Sequence, residues 1–172
     1  MSAADEAADD AWLNDHSDFQ LNVVHGLRNP AGLHLQYHLD DGRVVTTWVP
    51  ESQHQGFPGF VHGGLLAAVL DDVMGRCSTL HRRWVVTGRL ETRFRRAAAV
   101  GEPLRVEGWM TRMSRRVMLA ESRLAGPDGE VVAEATGTYI PVPPELLARM
   151  VGSWPGFAEF IEEWEPPSGA PR

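Results

Sequence analysis

Two short stretches carry the residue types that chemistry needs. His62-Gly63-Gly64 stands at the head of a long apolar run, and Asp71-Asp72 interrupts that run seven and eight residues after Gly64. The first N–H groups of a helix have no intrahelical partner, and the helix dipole adds partial positive charge there. Two glycines let a ligand atom approach those N–H groups, which makes a site for a carbonyl oxygen or an oxyanion. A carboxylate pair inside an apolar helix is costly to bury. Either both acids face solvent or pair with Arg76 or Arg89, or one of them is a general base or a nucleophile. Helical spacing puts Asp71 on a stripe of small residues with Gly64, Ala67, Ala68, Gly75 and Ser78, while Asp72 has Arg76 one turn on. The small stripe favours Asp71 as the acid that faces a ligand.

Helix geometry then sets a condition. At 1.5 Å per residue Asp71 lies about 10 Å along the helix from Gly64, too far to act on a carbonyl held at its own helix start. Two antiparallel copies of the helix bring Asp71 of one chain to Gly63 and Gly64 of the other. The chemistry is therefore expected to need a dimer with two composite sites.

The elements that must position these groups follow from hydrophobic period. Leu33, Leu35, Tyr37 and Leu39 alternate with polar residues, as a half-buried strand does. Asp40-Asp41-Gly42 reads as a hairpin turn and 43–49 as the return strand. After a loop over 50–60, residues 65–81 read as a helix with Leu66, Val69, Leu70, Val73 and Cys77 on its apolar side. Strands are expected at 85–97, 103–114, 117–125 and 130–141, with a turn at Gly126-Pro127-Asp128-Gly129. The order predicts an α+β fold, an antiparallel sheet of about six strands around one long central helix. This domain is expected over 23–142. Residues 1–22 read as an acidic leader in which Trp12 and Leu13 can dock on the body. Residues 143–172 read as a C-terminal helical extension and tail, with Phe157, Phe160, Ile161 and Trp164 on one face of a short helix that docks on the domain or a partner subunit.

Composition narrows the function classes. The net charge is −7, and all sixteen basic residues are arginine. Residues 76–123 hold twelve arginines against four glutamates, so a basic segment sits in an acidic protein. That balance argues against general nucleic-acid binding; it fits a small phosphorylated ligand, or else arginine-rich codon usage on solvated strands. A single cysteine, Cys77, excludes a disulfide framework and a cysteine-based zinc cluster, and no metal site is expected. No apolar run reaches a membrane span, and the acidic N-terminus lacks the basic start of a signal peptide, so a cytoplasmic location is expected.

The run HQGFPGFVHGGLLAAVLDDVMG resembles the signature of the PaaI-like hotdog-fold acyl-CoA thioesterases, with an acid nine positions after the His of His-Gly-Gly, here His62 and Asp71. NPAGLHL at 29–35 and VTGRLETRFRRAAAVGEPL at 86–104 match the same style, and the resemblance covers roughly 24–142. It implies hydrolysis of an acyl-CoA by a homodimer or a dimer of dimers, with no cofactor beyond the coenzyme A of the substrate. Asp71 would activate water or attack the thioester carbonyl, the Gly63 N–H would polarise that carbonyl, His62 would orient the site, and Thr87 would assist the acid. Arg93, Arg95 and Arg96, with Arg93 and Arg95 on one strand face and Arg96 on the other, are candidates to bind coenzyme A phosphates, or are solvated charges on an exposed strand edge. His54 is a candidate for lining the acyl channel, or is a surface loop histidine. The other five histidines are expected to be ordinary surface or strand residues. Many relatives carry Cys-x-x-Cys-Gly where this chain has Asn22-Val23-Val24-His25-Gly26, so no thiol or metal role attached to that motif applies. Two other readings stay open: a 3-hydroxyacyl dehydratase on the same fold, and an acyl-CoA-binding module without turnover.

Overall fold

The computed structural model describes residues 20–153. Trp12, Leu13 and the aromatic stripe Phe157, Phe160, Ile161 and Trp164 lie outside the described residues. In chain order the elements are β1 (His38–Asp40), β2 (Arg43–Trp48), α1 (Gly63–Arg76), β3 (Val85–Phe94), β4 (Leu104–Met113), β5 (Met118–Ala125), β6 (Val131–Pro141) and α2 (Pro144–Ser153). The six strands form one antiparallel sheet in the order β1-β2-β4-β5-β6-β3. The concave face of that sheet holds α1. Leu66, Val69, Leu70, Val73 and Cys77 are all buried against it, as their spacing predicts. The approach is tight at Gly108 on β4, where an added Cβ would lie 2.8 Å from the Val73 carbonyl oxygen. Only a residue without a side chain lets the helix settle so close to the strand.

Two expectations are corrected. The strand read from Leu33 shrinks to His38–Asp40. Leu35 and Tyr37 are buried as their alternation requires, but His34 adopts a left-handed conformation (φ 54°) that breaks the extended run. Leu33 and Leu35 then donate their N–H groups to Val23 O and Val24 O rather than to the sheet. The helix also begins earlier and ends earlier than read. His62 caps it, so it starts at Gly63, and it stops at Arg76. Ser78 Oγ donates to Gly75 O at 2.8 Å and Thr79 Oγ1 to Arg76 O at 2.7 Å. These hydroxyls take carbonyls that another helical turn would use. Residues 79–81 survive as one tight 3-10 turn.

Candidate active site

Asp71 projects from α1 toward the far edge of the sheet, where β6 and β3 pair. Thr87 on β3 and Tyr139 on β6 stand directly opposite one another in that pairing. Both turn their hydroxyls on the same carboxylate. Thr87 Oγ1 lies 3.0 Å from Asp71 Oδ1 and 3.1 Å from Oδ2, and Tyr139 Oη donates to Oδ1 at 2.8 Å. Burial, with the Asp71 charge beside it, pushes the Tyr139 hydroxyl far above an ordinary phenol, so it stays a donor. The three residues share one wall of a pocket of about 310 Å³, with Trp84, Val85 and Val86 supplying apolar surface.

A backbone irregularity aims Thr87. The β3–β6 register shifts between Thr87 and Arg89, at Gly88. Further along β3, Phe94 lies on the α1 side, 3.6 Å from where a Gly63 Cβ would sit. Strict alternation back from Phe94 would send Thr87 to the outer face with Arg93 and Glu91; the bulge returns it to the helix side.

Asp72, one residue on, has a different setting. His25 Nδ1 lies 3.0 Å from Oδ2 and 3.2 Å from Oδ1, Tyr37 Oη donates to Oδ2 at 2.7 Å, and Arg76 Nε is 3.8 Å away. Arg76 also donates to His25 Nε2. A guanidinium only donates, so Nε2 is the acceptor and the ring proton sits on Nδ1, directed at Asp72. Burial alone would raise this carboxyl; the His25 hydrogen bond, the Arg76 charge and the Tyr37 hydroxyl outweigh it and hold the group below the usual carboxylate range. His25 is therefore no ordinary surface or strand histidine: it is a buried link between the N-terminal turn and α1.

At the helix start, His62 Nδ1 accepts from the Gly64 N–H at 2.9 Å. The ring thus consumes the Gly64 donor that the sequence offered to a ligand. The Gly63 N–H takes no hydrogen bond among the described residues, and it remains the open donor at this end of the helix. His54 is buried rather than a surface loop histidine. Its Nδ1 accepts from the Glu51 N–H at 2.8 Å, its ring packs on Trp48, and its carbonyl receives the His62 N–H at 2.9 Å. It holds the loop that presents His62 and does not line the Asp71 pocket.

The three arginines stand apart from that pocket. Arg95 pairs with Glu134, and Arg96 pairs with Asp128 at 2.6 Å beside the β5–β6 turn. Arg93 lines a separate concavity of about 240 Å³ on the outer sheet face, among Glu91, Glu121 and Glu134. Cys77 is buried in the core, which pushes its thiol up to about 12, so it is inert. Sequence reading missed Tyr139, Tyr37 and His25. The β3–β6 pairing joins strands far apart in sequence, and nothing in local period announces it.

A six-stranded antiparallel sheet curled around one long helix is the hotdog fold. Comparison with known proteins agrees. The thioesterase superfamily model matches residues 58–133. A putative thioesterase of Ralstonia eutropha JMP134, described as phenylacetic acid degradation-related, is 30% identical; the match covers 63% of this chain and 85% of that one with a TM-score of 0.57. A crystallised thioesterase superfamily protein is 29% identical, with a TM-score of 0.67 over 70% of this chain and 60% of that chain. Acyl-coenzyme A thioesterase THEM4 of Bos taurus is 26% identical over 119 residues, 66% of this chain and 49% of that protein. The chain belongs to the thioesterase superfamily, and it spans about half the length of the curated cattle relative.

Proposed function

We propose that this protein hydrolyses an acyl-CoA thioester, releasing a carboxylic acid and coenzyme A, in a site completed by a second copy of the chain. The observation that carries the reading is the Asp71 carboxylate, held by Thr87 at the wall of a pocket. Family membership and the likeness to an acyl-coenzyme A thioesterase support the substrate class. Asp71 either takes a proton from the water that attacks the carbonyl carbon, or attacks that carbon itself to give a mixed anhydride that water then hydrolyses; in both the C–S bond breaks and coenzyme A leaves as thiolate. Negative charge develops on the carbonyl oxygen, and the Gly63 N–H is suited to receive it. A thioester suits this small apparatus, because thiolate leaves without a strong acid.

Asp71 is eight residues beyond Gly63, about 12 Å along α1. One copy cannot bring both groups to one carbonyl, so the reading takes Gly63 from the partner subunit. The open side of β3 supports the pairing. It is an edge strand of ten residues, with Leu90 and Phe94 exposed. Edge strands of that length are normally covered. Arg93, the one of the three arginines with no ion pair among the described residues, is the best placed to meet phosphate; Arg95 and Arg96 would have to exchange acidic partners first.

The test is thiol release from a panel of acyl-CoAs by the wild type and Asp71→Ala. Turnover is expected with at least one acyl-CoA, falling roughly 10²–10⁴-fold in the variant. Binding without thiol release from any member would replace the hydrolase with a binding module. Appearance of an enoyl absorbance would replace it with a dehydratase.

A further inference from the structure

We infer that Tyr139 is a positioning residue that selects which oxygen of Asp71 reacts, and that Gly137 supplies the space its ring needs. The inference rests on the hydrolytic reading. Tyr139 Oη donates to Asp71 Oδ1 at 2.8 Å and touches the Asp71 carbonyl oxygen at 3.0 Å, so its tip is tied to both the side chain and the backbone of one residue. Thr87 has a single hydroxyl proton to divide between two oxygens at 3.0 and 3.1 Å. Tyr139, whose one proton has Oδ1 as its nearer acceptor, reaches no other oxygen of the carboxylate, so Oδ2 is the less occupied oxygen and the one left to water or a carbonyl carbon.

The ring reaches Asp71 only because Gly137, two residues earlier on the same face of β6, has no side chain. A Cβ there would lie 2.4 Å from Tyr139 Cε2 and 2.9 Å from its hydroxyl oxygen. Asp72 and Arg76 on α1, His25 from the N-terminal segment and Tyr139 itself are the titratable and charged groups that line the pocket with Asp71. β3 faces it with the uncharged Thr87. Of these, Tyr139→Phe removes one hydroxyl and leaves every other group in place.

The experiment measures kcat, KM and the urea midpoint for wild type, Tyr139→Phe and Gly137→Ala, using whichever acyl-CoA the wild type turns over. Tyr139→Phe is expected to lower kcat about tenfold with KM little changed and the enzyme fully folded under assay conditions. Gly137→Ala, with the phenol still present but displaced, should lower kcat alike with KM little changed. A Tyr139→Phe enzyme with the wild-type kcat overturns the inference, and so does one whose lower rate is matched by loss of folded enzyme or by a rise in KM, as a packing role alone would give. If Gly137→Ala does not fold, Tyr139→Phe decides by itself. A wild type that releases no thiol overturns the hydrolytic reading and this inference together; wild-type turnover with an unchanged kcat in Tyr139→Phe overturns the inference alone.

Discussion

Asp71 and Asp72 are neighbours on one helix, and each receives a hydrogen bond from a buried tyrosine: Tyr139 for the first, Tyr37 for the second. The remaining partners separate them. Asp71 meets the neutral hydroxyl of Thr87, whereas Asp72 meets a guanidinium and a histidine N–H. Neutral donors orient a carboxylate and leave its charge available. A cation neutralises it and, in a buried setting, makes each partner depend on the other. The pair sets one residue type in two surroundings, with neutral donors alone at Asp71 and a cation among the partners of Asp72.

Exchange of each acid for its amide tests that contrast most sharply. Asp71→Asn is expected to lower kcat roughly 10²–10⁴-fold while stability in urea changes by less than about 1 kcal/mol. Asp72→Asn should do the reverse, costing about 3 kcal/mol because Arg76 is left without its acid, with kcat of the folded enzyme reduced less than about tenfold. Loss of turnover in Asp72→Asn at full stability would break the comparison.

Acid titration sharpens it. The folded Asp72 carboxyl is held below its unfolded value of about 3.9, so its contribution is fully present above that pH and is lost as pH falls through the folded value. Urea midpoints measured from pH 6 to pH 2 should therefore fall more steeply in wild type than in Asp72→Asn, and parallel curves would contradict the assignment. The smallest effect is expected from His25→Ala, which removes one donor and leaves Arg76 in place. Its melting temperature should drop by about 2–8 °C for about 1–2 kcal/mol lost in a chain of this size, with turnover retained.

Much of this arrangement was legible in the residues. The 3.6-residue period of Leu66, Val69, Leu70 and Val73 located the buried face of α1, and helical spacing set Asp71 and Asp72 on different stripes, where they meet different partners. Those signals are local, and local period is what a sequence displays. What stayed hidden depends on contacts between distant segments. The β3–β6 pairing that sets Tyr139 opposite Thr87 spans about fifty residues, and the bulge that turns Thr87 inward leaves no mark beyond one glycine. Likewise, Gly64 looked like a ligand donor until the ring of His62 claimed its N–H. The motif placed the two residues side by side, and only the ring's rotamer decided which N–H stayed open.

The links from His25 and Tyr37 to Asp72 also bear on where this domain can be cut. The stretch that matches the superfamily begins at residue 58, yet two of the hydrogen-bond donors to Asp72 on α1 arrive from the segment before residue 38. A chain trimmed to the matching stretch would lose β1, β2, most of β6 and two of the donors to Asp72. The matching stretch is thus smaller than the set of residues that encloses Asp72, and a truncation should keep the segment that carries His25 and Tyr37.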